Sequence, residues 1–193
     1  MNHSHTEAIQ KSLTHLLLST YITTDSAEHL LLNAGWFLHS SEGCFSNVYR
    51  SPCGQYILRV GHSYADREDK YPFHACNAIL NEDNPYFPKI YWHVQSIFRH
   101  FDEPLTLTLM EVLNPIDNPF KSYDCKLISE AVPVHSDEVI IPQQAFENNA
   151  LAKALYSLGK VMEKHGLESD ISLGNGNLMQ RPSGEIVITD PYC

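Results

Sequence analysis

Apolar positions along the chain change their period several times, and each change marks a segment boundary. Between residues 7 and 32, Ile9, Leu13, Leu16 and Leu17 recur at helical spacing. Leu30 to Leu32 follow a break at Thr23–Ser26, where Asp25 or Ser26 can cap a second short helix ahead of Asn33-Ala-Gly35. Packing of such a helix across a small sheet is favoured over an exposed partner-binding helix.

From Trp36 the pattern shortens to strands. Trp36–His39, Cys44–Tyr49 and Gln55–Val60 read as an antiparallel meander, with turns at Ser40–Gly43 and Ser51–Gly54. Residues 66–81 predict a helix with Ala75, Ala78 and Ile79 on one side. Two further strands are expected at Pro88–Val94 and at Pro104–Glu111, the latter alternating Leu and Thr.

Asn114-Pro115 and Asn118-Pro119 disfavour both helix and central strand and mark a boundary. A short helix is expected near Lys126–Val132, followed by a polar stretch and Ile140-Ile-Pro142. Gln143–Lys164 then carries a helical stripe of Ala154, Leu155, Leu158, Val161 and Met162 that runs out at Gly166. A polar loop with Asp170, Asn175 and Asn177 follows, then two short apolar strands joined at Arg181–Gly184, with Asp190 where the second ends. Strands first and helices later predict an α+β fold.

Bulk properties narrow the function. The chain has 193 residues, 43% apolar and 19% charged, enough for one full core or two small lobes. Its formal net charge is −10, with no Lys/Arg run longer than two, so nucleic acid is not an expected partner. The sequence shows neither a membrane-spanning apolar run nor a secretory leader. Five widely spaced cysteines, with no Cys-x-x-Cys pair, read as reduced thiols of a cytoplasmic protein. The 11 histidines show no ligand-like spacing with Cys, Asp or Glu and read as surface or structurally bonded residues.

The C-terminal segment holds the candidate chemistry. An Asp, an Asn, a hairpin and a second Asp are what magnesium-assisted phosphoryl transfer requires: one carboxylate orients the attacking hydroxyl, while an amide oxygen and another carboxylate hold the metal. Set against the catalytic loop of the kinase-like superfamily, which this segment resembles, two registers compete. Counting back from the strand makes Asn177 the metal-binding amide and puts Ser172 in the catalytic place. Counting forward from the helix end makes Asp170 catalytic and Asn175 the amide. A serine is no general base of ordinary strength, so a loop lengthened by two residues is favoured, with Asp170 catalytic and Asn177 or Asn175 on the metal. The bland alternatives are a helix-terminal turn residue for Asp170 and a turn-starting Asp-Pro for Asp190.

Four short pieces, Gly43-Cys-Phe-Ser-Asn-Val-Tyr49, Ile57-Leu-Arg-Val-Gly61, Gly176-Asn-Leu-Met179 and Ile188-Thr-Asp-Pro191, occur in an order that resembles the early serine/threonine protein kinases of short-tailed coliphages, remote members of the kinase-like superfamily. The 13-position separation of Asn177 and Asp190 equals that of the kinase fold. The resemblance covers roughly residues 35–193. It implies a minimal two-lobed protein-kinase-like fold: an N-terminal helical extension (1–34), an antiparallel-sheet N-lobe (35–113) and a reduced helical C-lobe (114–193).

It further implies ATP and Mg2+ as cofactors, a Ser/Thr of a protein substrate or host target as acceptor, autophosphorylation, and residence in the host cytoplasm. The Gly43 turn and the Ser46 hydroxyl would meet phosphates. Arg59 stands where the family has a phosphate-contacting lysine, with Glu68 and Glu82 the nearest helix acids. Glu111 to Leu113 would present backbone to an adenine edge, and metal would lie on Asp190 and Asn177 or Asn175. The sequence ends three residues beyond Asp190, so a protein substrate is expected to dock elsewhere, with 116–142 the candidate insert. Two alternatives stay open: an inactive kinase-like protein whose acidic surface binds and inhibits a basic partner, and a small-molecule kinase of the aminoglycoside or choline type.

Overall fold

The computed structural model describes residues 24–43, 45–62, 68–95, 105–173 and 176–193. It is α+β. A five-stranded antiparallel sheet is formed by β1 (Phe37–Gly43), β2 (Ser46–Arg50), β3 (Tyr56–Gly61), β4 (Ile90–Gln95) and β5 (Thr106–Glu111), in the order β1-β2-β3-β5-β4. A three-stranded sheet joins β6 (Asn114–Pro115), β7 (Leu178–Gln180) and β8 (Ile186–Ile188), with β7 in the middle. Four helices are described: α1 (Thr24–Asn33), α2 (Tyr71–Leu80), α3 (Tyr123–Ala131) and α4 (Asn149–His165). Among the described residues, no helix is long and apolar enough to cross a membrane.

Contacts group the chain into two compact units, one from residues 1–69 and 91–110 and one from 70–90 and 111–193. In the first, Ala27 and Leu31 of α1 share a core with Trp36, Tyr49, Leu58, Val60, Leu107 and Leu109. The residues expected to start an earlier helix, Ile9, Leu13, Leu16 and Leu17, lie outside the described residues.

The meander is longer than its polarity suggests. Ser40–Gly43 belongs to β1 rather than to a turn, and Gly43 pairs directly with Ser46. Register shifts between Leu38 and Ser40 and between Ser40 and Gly43 mark irregularities in this edge strand. An edge strand tolerates polar residues without alternation, so its sequence resembled a turn. The Leu/Thr alternation of β5 has a plain cause. Leu107 and Leu109 fill the core, while Thr106 and Thr108 hydrogen-bond Asp69 and His93.

The second unit is organised on α4, whose stripe Leu151, Ala154, Leu155, Leu158 and Met162 is buried against Ile128, Phe87, Leu167, Ile171 and Ile188. The expected helix from Gln143 is interrupted. A 3₁₀ turn occupies Gln143–Glu147, and Asn148 then caps α4 by accepting from Leu151 N at 3.2 Å. The same side chain donates to Tyr86 Oη at 2.7 Å, and Tyr86 donates to Asp124 at 2.6 Å. Gly166 ends α4 in the left-handed conformation, φ 61°, which glycine adopts without the Cβ penalty. Pro115 is tolerated in β6 because that strand is at a sheet edge.

Candidate functional site

Immediately after Gly166 the chain is pinned on both sides of Asp170. Leu167 N bonds back to Met162 O at 3.1 Å and its side chain is buried. Ser169 is fully buried, forms a β-bridge with Tyr192, and accepts from Ile171 N at 3.1 Å through its hydroxyl. Asp170 N donates to Pro191 O at 2.9 Å. Asp170 itself is only partly buried, between the fully buried Ser169 and Ile171. Two buried flanking residues and two backbone tethers therefore fix the position of one accessible carboxylate.

Asn177 reaches that carboxylate from the other side of the loop. Its Nδ2 donates to the Asp170 main-chain oxygen at 2.8 Å and to Asp170 Oδ2 at 3.1 Å. Gly176, at φ +79°, makes the turn into Asn177, a conformation that side chains rarely adopt. Thr189 N donates to Asn177 O at 2.9 Å, so the strand end bearing Asp190 is joined to the same turn. Cys193 is largely exposed, but partial desolvation of its sulfur pushes the thiol pKa up, and the carboxylates of Asp170, Glu168 and Asp190 add to the rise. These carboxylates thus act together on one small region.

Asp170, Asn177 and Asp190 are accordingly brought together at one end of the β7–β8 hairpin. Asn175 lies outside the described residues. The set fits magnesium by donor type: carboxylate and amide oxygens are hard ligands, and Mg2+ takes one or two carboxylates alongside water and phosphate oxygens.

The other expected site residues are placed differently. Glu111 and Leu113 belong to the second unit. The Glu111 main-chain N–H is used by Lys89 O at 3.0 Å, and Leu113 is buried. The Glu111 carboxylate is forked onto Arg181, Oε1 to Nη2 at 2.7 Å and Oε2 to Nε at 3.1 Å, and also accepts from Lys89 N at 2.7 Å. Arg181 completes its bonds on Pro85 O and Phe87 O, at 2.6 and 2.9 Å. In sequence Arg181 was only the opening of a Pro-Ser-Gly turn. The acid that answers it stands 70 residues away.

Gly43, Ser46 and Arg59 belong to the first unit. Gly43 sits at the strand tip, while Ser46 is buried and paired with Gly61 in the ladder. Arg59 is buried in a forked pair with Asp69, Nη1 to Oδ2 at 2.7 Å and Nη2 to Oδ1 at 2.9 Å. Thr106 Oγ1 adds a bond to Asp69 at 3.1 Å. Asp69, just ahead of α2, was missed. The signal available was the need of a cation on a β-rich strand for an acid nearby.

The sequence matches no protein-family model and no curated protein.

Proposed function

We propose that this chain is an ATP- and magnesium-dependent phosphotransferase with a minimal kinase-like fold, acting on Ser or Thr of a protein. The observation that supports it most is the clasp of Asn177 on Asp170, with Asp190 on the strand end bonded to the Asn177 backbone. Acid, amide and acid then occupy the roles that phosphoryl transfer assigns them. Asp170 accepts the proton of the attacking hydroxyl and aims its oxygen at the γ-phosphorus. Its position is held by Asn177 and by the Pro191 carbonyl. Asn177 and Asp190 would hold the magnesium, which when bound offsets the phosphate charge. An antiparallel sheet early in the chain and the long α4 ahead of the loop support this reading.

Thermal shift with ATP and magnesium tests nucleotide binding. A ligand at 100 times its dissociation constant stabilises by about 2.7 kcal/mol. The shift should vanish in Asp190→Ala. Transfer of radiolabel from γ-labelled ATP, to the chain itself or to a host-cell lysate, should fall by about 10²–10⁴-fold in Asp170→Asn while the shift survives. No shift in the wild-type chain would overturn the reading.

A second reading, a silent scaffold that occludes a basic partner, is favoured by one observation. The cation expected to meet phosphates, Arg59, is buried in its pair with Asp69. A wild-type shift with no transfer to any acceptor would select it.

A further inference from the structure

The three chain segments around Ser169 also gather a second set of donors, on side chains that the proposed phosphoryl-transfer chemistry does not use. His135, Glu168 and Cys193 present one imidazole nitrogen, one carboxylate oxygen and one thiol sulfur, all within 4.8 Å of one another. His135 Nδ1 lies 3.8 Å from Glu168 Oε2. We propose that these three residues form a binding site for a borderline transition-metal dication of the zinc class, with the remaining position open to solvent.

Donor chemistry supports that metal class. Imidazole, carboxylate and thiolate are all accepted by Zn2+, whereas a thiolate is a poor partner for Mg2+ or Ca2+. Bond lengths of about 2.0 Å to nitrogen, 2.0–2.2 Å to oxygen and 2.3 Å to sulfur place tetrahedral donors roughly 3.3–3.7 Å apart. The His135–Glu168 pair, at 3.8 Å, is already near that spacing. All three residues are exposed, so rotation of the side chains can bring in the sulfur without moving the core.

The backbone beneath them is built to hold this arrangement. His135 N donates to Ser169 O at 2.8 Å, and Ser169 N donates to Ser136 O at 2.9 Å. Cys193 N donates to Glu168 O at 3.0 Å, and Ser169 bridges to Tyr192. Each ligand residue is therefore laced by main-chain bonds to the segment that carries the next. His135 also has φ 59°, and among the described residues it is the one non-glycine with positive φ. Such outliers are worth a functional reading, because a strained backbone aims a side chain where a relaxed one does not. The sequence showed no ligand spacing here because the ligands come from three separate segments.

The test uses the reduced full chain, with Zn2+ for affinity and Co2+ as the spectroscopic probe. Wild type should show the near-ultraviolet charge-transfer band of a cobalt–thiolate bond. Cys193→Ser should lose that band. His135→Gly suits the positive φ, so it removes the imidazole without adding strain, and it should weaken Zn2+ by at least about tenfold. Metal-free melting curves of both variants matching wild type would show that the losses are local. A cobalt–thiolate band that persists in Cys193→Ser, zinc affinity unchanged by His135→Gly, or no cobalt–thiolate band in wild type would each overturn the site. The site stands apart from the phosphotransferase reading, since neither readout uses nucleotide.

Discussion

The side-chain amide of Asn177 holds Asp170 at two atoms, its main-chain oxygen at 2.8 Å and its carboxylate Oδ2 at 3.1 Å, across seven positions of sequence. The bond to the main chain fixes where Asp170 sits, and the bond to the carboxylate fixes which way it points. On the proposed phosphotransferase reading, Asp170→Asn keeps the shape and removes the general base, so transfer should fall by about 10²–10⁴-fold, the usual contribution of general base catalysis. Asn177→Ala removes the clasp and, on the proposed reading, a magnesium-binding oxygen with it. It should lower the maximal rate and also raise the magnesium concentration giving half-maximal rate, whereas Asp170→Asn should leave that concentration unchanged. Steady-state kinetics across a magnesium titration separates the two. Equal magnesium dependence in both variants would remove Asn177 from the metal.

Arg59 and Asp69 form the most buried ion pair described in the first unit, with side chains 7% and 3% exposed. Removing one partner leaves the other charged and dry, which typically costs about 3–5 kcal/mol. Arg59→Ala should therefore lower the denaturation midpoint far more than an exposed arginine would. The double variant with Asp69→Ala should cost less than the sum of the two single changes, because the second change removes the stranded charge. Gly61 reports on the same cluster from the backbone. A Cβ there would run into Asp69, Thr106 and Arg59, so Gly61→Ala should be destabilising by about 1–3 kcal/mol or more. Urea titration measures all four proteins.

How much of this was legible in the sequence depends on how far apart the causes lie. Helix α4 was legible because Ala154, Leu155, Leu158 and Met162 carry their period locally, and Gly166 marks the end. The β7–β8 hairpin was legible from two apolar runs around a Pro-Ser-Gly turn, and with it the places of Asn177 and Asp190. Strand β1 was misread at Ser40–Gly43 because an edge strand need not alternate. Asp69 was illegible because nothing periodic ties it to Arg59. The same holds for Glu111 with Arg181 and for His135 with Cys193. These pairs are set by tertiary contacts between segments, and a linear pattern holds no record of them.

Arg181 is expected to matter for folding of the second unit rather than for chemistry. It bonds the Glu111 carboxylate and the carbonyls of Pro85 and Phe87, so one guanidinium ties the end of β5, the loop before β4 and the β7–β8 turn. The pair is partly exposed, at 18% and 16%, which moderates its strength below that of a fully buried one. Arg181→Ala should cost about 1.5–3 kcal/mol, the range for hydrogen bonds to charged groups. Arg181→Lys should recover little, because a single ammonium cannot make the forked contact. Thermal melts of both variants give the comparison. A lysine variant as stable as wild type would show that charge alone suffices.

His93 gives the fold a pH dependence whose sign can be worked out. Its Nδ1 lies 2.8 Å from Thr108 Oγ1. Burial holds its pKa below the ordinary histidine value, the Arg59 guanidinium lowers it further, and the Asp69 carboxylate partly opposes both. The unfolded chain takes up this proton near pH 6.5, roughly the unperturbed value, while the folded chain resists it to lower pH. Below that point the unfolded state binds more protons, so stability is complete above about pH 6.5 and is lost as pH falls through the window beneath it. One such group contributes a slope of at most about 1.4 kcal/mol per pH unit. His93→Gln keeps a hydrogen-bonding side chain and removes the titration. Its stability should therefore fall less steeply than wild type between about pH 6.5 and 5, by an amount bounded by that one-proton slope. Parallel acid limbs for the two proteins would show that the proton is taken up elsewhere.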